Sequence, residues 1–359
     1  MTVFNLTKVP ITTANLFFDK SGTVGVQRYE QVKYPMLERL LENQMSNYWR
    51  PTEINLQKDA ADFKGFTEAE EHVFTSNLRR QIVLDSVQGR APTLCFGPYV
   101  SDPIAEAFIG AWTFFEIIHS QSYTHMIRNM YNNPSIVFDG MGDIAEIVAC
   151  GKDVSKYYDE LIECQGYEWG DIRTKRAFYR SMVATNALEQ IRFHVSFACT
   201  FSFANRKKIE GSGRIMSLIR QDEAYHCAFT HNVLRLIVKE DPDFAQIAIE
   251  ERDTVEHIYR EVHKQELEWI EYLFSKGPIL GLTKEELMEY LNYLVFNRMK
   301  SMGIDPKFYA PKKEPLAWMR KFLNEDGDDQ PAPQEEELTS YQVGNIDLSV
   351  NQDELITDF

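Results

Sequence analysis

The sequence predicts an all-α fold. Apolar residues recur at helical spacing along most of the chain, alternating strand patterns are scarce, and Pro, Gly and acid-rich helix starts punctuate the periodic segments. At 44% hydrophobic and 13% aromatic, 359 residues suffice for a sizeable core, which excludes wholesale disorder. No repeat of 20–50 residues is visible.

Residues 1–30 read as an irregular arm with Pro10, Gly22 and Gly25. A helix is expected over 35–50 (Met36, Leu37, Leu40, Leu41), stopped by Pro51. Thr67-Glu68-Ala69-Glu70 starts a second, running through Val73, Phe74, Leu78 and Ile82 to Gln88, with Gly89 as its stop. Asp102-Pro103 opens a long apolar helix through Phe108, Trp112, Phe115 and Ile118 to Met130, ended by Asn132-Asn133-Pro134. Residues 143–164 and 171–205 give two further helical stretches. Gly211 and Gly213 are expected to break the chain before a helix over 214–239, and Asp241-Pro242 to break it again. Amphipathic helices over 244–274 and 284–302 complete one domain of eight or more helices, residues 1–323.

A flexible tail is expected over 324–359, with Gly327, Pro331 and Pro333 as linker. It holds eleven acidic residues and no Lys or Arg, leaving −5 of the net −16 on residues 1–323. No basic footprint for nucleic acid is present. Cys95, Cys150, Cys164, Cys199 and Cys227 are odd in number and form no CxxC, so neither a disulfide framework nor a zinc knuckle is indicated, and reduced thiols fit the cytoplasm. No signal peptide is visible. Uncharged stretches such as 193–205, 13 residues, are too short to span a bilayer.

Two copies of Glu-x-x-His carry the chemistry: Glu116-Ile117-Ile118-His119 and Glu223-Ala224-Tyr225-His226. On a helix, i and i+3 share a face, so each pair can aim a carboxylate and an imidazole at one point. Asp85 and Glu189 lie alone in apolar helical stretches. Four carboxylates and two imidazoles from four helices form the donor set of a dimetal four-helix bundle. Hard oxygen donors with imidazole suit iron or manganese better than zinc. The competing reading is a buried salt-bridge network with Arg79, Arg80 or Arg192.

Tyr123 follows His119 at i+4 and Glu116 at i+7, which places its phenol on the ligand face. Beside an O2-reactive metal pair it could lose one electron; the plainer reading is a packing tyrosine. Phe193 and Phe197 follow Glu189 at i+4 and i+8, and Ile219 precedes Glu223 at i−4, so all three project from ligand faces. They would supply a water-poor shell or simply core.

From Tyr48-Trp49-Arg50-Pro51 to the C-terminus the sequence resembles the small (β) subunit of class I ribonucleotide reductase, a ferritin-like helical family. The resemblance rests on Leu84-Asp85-Ser86-Val87-Gln88-Gly89-Arg90, on 116–125, on Asn186-Ala187-Leu188-Glu189, on 195–199, on Asp222-Glu223-Ala224-Tyr225-His226 and on Ser340-Tyr341-Gln342-Val343-Gly344. It implies a site of two Fe per chain, with Mn as the alternative. Asp85, Glu116 and His119 would hold one ion, Glu189, Glu223 and His226 the other, and Glu116 would bridge them. Tyr123 matches the radical-storing tyrosine, and Phe193, Phe197 and Ile219 its apolar pocket. Trp49 and Asp222, the latter holding His119, match the entry of the radical path. Tyr341 matches the tail tyrosine that passes the radical to the large (α) subunit, on which the tail docks. A homodimer in the cytoplasm is implied.

There are departures. The stretch between Tyr157-Tyr158-Asp159-Glu160 and Asn186 is shorter than in cellular bacterial members, which would suit a viral version working in host cytoplasm. His194 stands where tyrosine is common and is read as core or as a neighbour of the ligands. Gln221 stands where arginine is common. Two rival functions remain: a stand-alone ferritin-like dimetal oxidase, and a helical interaction protein whose carboxylates are salt-bridged.

Overall fold

The computed structural model describes residues 5 and 10–322. Its helices are α1 (Pro35–Ser46), α2 (Gln57–Phe63), α3 (Glu68–Gln88), α4 (Pro103–Met130), α5 (Ser135–Asp139), α6 (Ala145–Glu163), α7 (Ile172–Ala187), α8 (His194–Asn205), α9 (Glu210–Glu240), α10 (Pro242–Glu250), α11 (Arg252–Leu273) and α12 (Lys284–Ser301). Among the described residues the only β pairing is two isolated bridges, Phe17 with Val100 and Ile279 with Leu282. The expected tail and Tyr341 lie outside the described residues.

Helix starts follow the local chemistry. Thr67 and Glu70 close a reciprocal capping box at α3, with Glu70 N donating to Thr67 Oγ1 at 3.2 Å and Thr67 N to Glu70 Oε2 at 3.1 Å. Asp102 Oδ1 accepts from the amides of Ile104 and Ala105, both at 2.9 Å, and Pro103 begins α4. The core gathers where α3 packs on α4 and α8 on α9, with α6, α7 and α11 closing around them. The arm is irregular, as expected, yet Leu16, Phe17 and Phe18 are buried in that core.

Four expectations need correction, each for a tertiary reason. The first helix ends at Ser46, not near Arg50: the Asn47 amide caps Asn43 O at 2.8 Å, and Trp49 turns inward. The 171–205 stretch is not one helix, because a π turn at Leu188–Arg192 separates α7 from α8. Gly211 and Gly213 do not break the chain. They lie inside α9, where a Cβ on Gly213 would meet Ala204 Cβ at 2.6 Å and one on Gly211 would meet Leu56 Cδ2 at 2.7 Å. Asp59 on α2 caps this helix from outside, accepting from Gly211 N at 3.0 Å and Ser212 N at 2.6 Å. The 244–274 stretch splits at Glu251, a buried carboxylate drawn in by Arg176 at 2.6 Å and Arg180 at 2.7 Å.

Candidate metal centre

Four elements bring the predicted ligands together. Asp85 comes from the last turn of α3, Glu116 and His119 from the middle of α4, Glu189 from the π turn, and Glu223 and His226 from the middle of α9. All six are buried. The π turn departs from α-helical register at Glu189, as such bulges often do at functional sites.

The six form two overlapping groups whose ligand atoms lie within 4.8 Å of one another: Asp85, Glu116, His119 and Glu223, and Glu116, Glu189, Glu223 and His226. Glu116 belongs to both. Glu223 does too: its Oε1 lies 3.4 Å from His119 Nδ1 and its Oε2 3.0 Å from His226 Nδ1. Both imidazoles turn Nδ1 inward, His119 to Glu116 Oε2 at 3.4 Å and His226 to Glu116 Oε1 at 3.3 Å. Each ring is held from behind through Nε2, His119 by Asp222 Oδ2 at 3.0 Å and His226 by the Gln44 amide at 2.7 Å. Asp222, which accepts from His119 Nε2, leaves that ring's Nδ1 as a lone-pair donor, and the Gln44 contact, nitrogen to nitrogen, fixes the plane of the His226 ring.

Further side chains orient the carboxylates. Trp112 Nε1 donates to Glu116 Oε1 at 2.9 Å, and its ring stacks on His226 at 5.0 Å between centroids. The Gln88 amide donates to Glu189 Oε1, and Tyr158 OH donates to Gln88 Oε1 at 2.6 Å. Trp112 and Gln88 had a legible signal, lying at i−4 from Glu116 and i+3 from Asp85. Gln44 and Tyr158 had none, because they reach the site from α1 and α6.

The electrostatics are those of crowded, buried carboxylates. Burial first, then the charge of neighbouring carboxylates, pushes Asp85, Glu189 and Glu223 above their ordinary range, Glu223 to about 8. Burial opposes ionisation of Glu116 as well, but His119 and His226 hold it at about 2. Burial alone would lower His119; the carboxylates of Asp222, Glu116 and Glu223 around it raise it instead. Both oxygens of Asp85, Glu116 Oε2, Glu189 Oε2, Glu223 Oε1 and His119 Nδ1 are buried without a hydrogen-bond partner among the described residues. All are lone-pair atoms aimed into one space, which fits metal ions.

The salt-bridge alternative fails. Arg79 bonds the carbonyls of Ile136 and Val137, Arg80 pairs with Glu266, and Arg192 pairs with Asp153 and Gln265. None reaches the cluster.

Tyr123 is fully buried and its hydroxyl meets no partner at hydrogen-bond distance among the described residues. Burial and the nearby Asp85 carboxylate raise its pKa well above the ordinary phenol value. Phe193, Phe197 and Ile219 are fully buried on the π-turn–α8 segment and on α9, with Phe193 and Phe197 stacked at 5.9 Å. Asp222 Oδ2 also accepts from Trp49 Nε1 at 3.0 Å, so Trp49, Asp222 and His119 form a continuous hydrogen-bonded line. His194 is buried against Phe197 and joins neither ligand group; burial and the charges of Arg220 and Arg298 keep it neutral. Gln221 lies 3.5 Å from Tyr225 OH.

The family model for the ribonucleotide reductase small chain matches residues 27–315. The chain belongs to that family. Subunit β of ribonucleoside-diphosphate reductase 1 from Escherichia coli O157:H7 is 40% identical over 373 residues, covering 99% of this chain and 98% of that one. The ribonucleoside-diphosphate reductase subunit β of Enterobacteria phage T4 is 37% identical over 379 residues, covering 98% and 97%. The solved ribonucleotide reductase R2 subunit from Clostridium botulinum shares the fold, with a TM-score of 0.79 at 23% identity over 90% of this chain and 98% of that one. The small-chain family fits the helical, ferritin-like architecture and the buried carboxylate and histidine cluster found here.

Proposed function

We propose that this chain is the radical-generating small subunit of a ribonucleoside-diphosphate reductase, acting with a large subunit that converts ribonucleotides to deoxyribonucleotides. The observation that carries the reading is a fully buried tyrosine beside two overlapping carboxylate–imidazole groups joined to an outward hydrogen-bonded line. Asp85, Glu116 and His119 would hold one ion, and Glu189, Glu223 and His226 the other; the ions are two Fe, with Mn as the alternative. When bound, such a pair supplies the O2-dependent oxidising power that takes one electron from Tyr123.

The chain's own residues do the rest. Losing an electron from the phenol also means losing its proton, and the Asp85 carboxylate is the neighbour the phenol faces. Phe193, Phe197 and Ile219 keep water from the resulting tyrosyl radical. His119, Asp222 and Trp49 carry the radical toward the surface through two 3.0 Å hydrogen bonds. A self-contained oxidase has no need of such an exit. Tyr341 takes the radical onward in the acidic tail, residues 324–359, which docks on the large subunit, while residues 1–323 form the radical-generating domain.

We assign the homodimer contact to α4, where Phe114 and Ile117 are 47% and 44% exposed beside Tyr48. A cleft of about 850 Å³ lined by Arg50, Arg90 and Arg128 runs along the same face. No helix among the described residues is long and apolar enough to cross a membrane. Bacterial and phage relatives support a cytoplasmic site of action, the host's if the source is viral.

The deciding experiment adds ferrous iron and then O2 to metal-free protein and records an EPR spectrum, with Tyr123→Phe as control. A tyrosyl signal present in the parent and absent from the control is expected. Full metal uptake with no tyrosyl signal, with either iron or manganese plus an oxidant, would overturn the reading.

A further inference from the structure

The end of α1 meets α9 along three polar rungs. Gln44 contacts His226 at 2.7 Å, Asn47 Nδ2 donates to Tyr225 OH at 2.8 Å, and Trp49 Nε1 donates to Asp222 Oδ2 at 3.0 Å. Residue numbers rise along α1 and its exit while they fall along α9, so the rungs are successive steps of one register. The first rung holds a proposed ligand, and the third holds the proposed exit of the radical. The middle rung serves neither.

Its placement shows what it controls. Asn47 follows the last residue of α1, and its amide also donates to Asn43 O at 2.8 Å, which pins the side chain to the helix end. Two residues later Trp49 is completely buried, while Tyr48 and Arg50 on either side are exposed. Trp49 is thus one inward side chain on a short connector. The connector is anchored downstream by the Pro51–Glu53 turn, where Arg50 N donates to Glu53 Oε2 at 3.2 Å. Upstream its anchor is Asn47 on Tyr225. Tyr225 follows Asp222 at i+3 on α9, so the residue that receives Asn47 and the residue that receives Trp49 share one helix face.

We propose that Tyr225, acting through Asn47, is a positioning residue for Trp49: it sets the connector so that the indole N–H stays on Asp222. Its value to catalysis rests on the proposed role of Trp49 as the radical exit; the positioning itself does not. Misplacing a reacting group by about 1 Å can cost about 10²-fold in rate, so a rim contact of this kind governs transfer without touching the metal ligands.

The test is hydrogen exchange of the tryptophan indole N–H groups, followed by NMR in full-length, metal-free chain labelled with ¹⁵N-tryptophan. The Trp49 signal is assigned by its loss in Trp49→Phe. Tyr225→Phe and Asn47→Ala are each expected to speed exchange at Trp49 at least tenfold. Trp269, whose Nε1 donates to Asn77 Oδ1 at 3.1 Å, should be unchanged. With the large subunit, both variants should turn over about tenfold more slowly at unaltered metal content. Exchange at Trp49 unchanged within twofold in both variants overturns the proposal, as does equal acceleration at Trp269, which signals general loosening. If Trp49 responds but the parent supports no ribonucleotide reduction, the positioning role stands and the reductase reading falls. Should Tyr225→Phe fail to fold, Asn47→Ala carries the test alone.

Discussion

A pair of buried charge clusters in this bundle solve the same problem in opposite ways. Between α3, α6, the π turn and α11, Arg80 pairs with Glu266 and Arg192 with Asp153, two cations against two anions. Arg80 also lies over the Trp269 ring at 4.7 Å. Its leftover unpaired atoms, Arg80 Nε and Nη1 and Glu266 Oε2, are of both kinds, donors and an acceptor. In the other, four carboxylates and two imidazoles converge, among the described residues, with no guanidinium, and their unpartnered atoms are carboxylate oxygens and one imidazole nitrogen. The first cluster closes on itself; the second has a deficit of fixed positive charge, which protons make up in the metal-free chain. Buried carboxylates that no arginine comes to meet are left for another cation to fit.

The largest effect that would sharpen this contrast is chemical. Tyr123→Phe removes only a hydroxyl that meets no hydrogen-bond partner among the described residues. It should leave metal uptake at the parent's level and abolish both the EPR signal and ribonucleotide reduction. Reduction at near the parent's rate would break the link between the deficit and its purpose.

Next comes the arginine cluster. Glu266→Leu strands Arg80 in a fully buried place and should cost about 3–5 kcal/mol in chemical denaturation. The double variant Arg80→Met/Glu266→Leu should recover most of that loss, because an ion pair replaced whole by apolar groups is close to neutral. In the metal centre the corresponding single change has the opposite sign. Glu189→Gln relieves like-charge crowding and should stabilise the metal-free protein while weakening metal binding. If Glu189→Gln destabilised the metal-free chain as Glu266→Leu does, the two clusters would not differ in kind.

These clusters also show what sequence patterns can and cannot reveal. The convergence of the candidate ligands was legible because Glu116 with His119 and Glu223 with His226 carry helical spacing in one segment each, and spacing survives folding. Most helices were legible for the same reason. The breaks at Leu188–Arg192 and Glu251 were not, since a π turn and a carboxylate recruited by Arg176 and Arg180 depend on distant partners. Gly211 and Gly213 looked like breakers only because the close approach of Ala204 and Leu56 is tertiary. Gln44 illustrates the same limit inside the site: nothing near it in sequence says that His226 will be its partner. Gln44→Ala should weaken metal binding about 10–100-fold while leaving the ligand set intact, measurable by competition with a chelator. An affinity unchanged within twofold would show that the Gln44 contact does not set the ring of His226.

The subtlest expectation concerns pH. In the folded, metal-free chain Asp85, Glu189 and Glu223 sit above their ordinary range through burial and then neighbouring carboxylate charge, Glu223 moving from 4.5 to about 8. The folded chain therefore holds more protons than the unfolded one, and the stability these groups confer is full below the ordinary carboxylate value and lost as pH rises toward 8. His119 and His226 act in the same direction: burial alone would lower them, but their carboxylate partners raise them, so their contribution is present below the ordinary 6.5 and fades as pH rises. Glu116, held at about 2, has the opposite sign, but its contribution fades only as pH falls below 4.5. Metal-free protein should thus lose stability steadily from about pH 5 to 8, read as a falling denaturation midpoint. Bound metal should reverse the slope, because protons compete with the ions for the same oxygens and nitrogens. Glu266, raised by burial, contributes equally with and without metal and drops out of the difference. Parallel slopes in the two forms would mean that the carboxylates in the bundle centre are neutralised by something other than a metal, and the distinction between the two clusters would be lost.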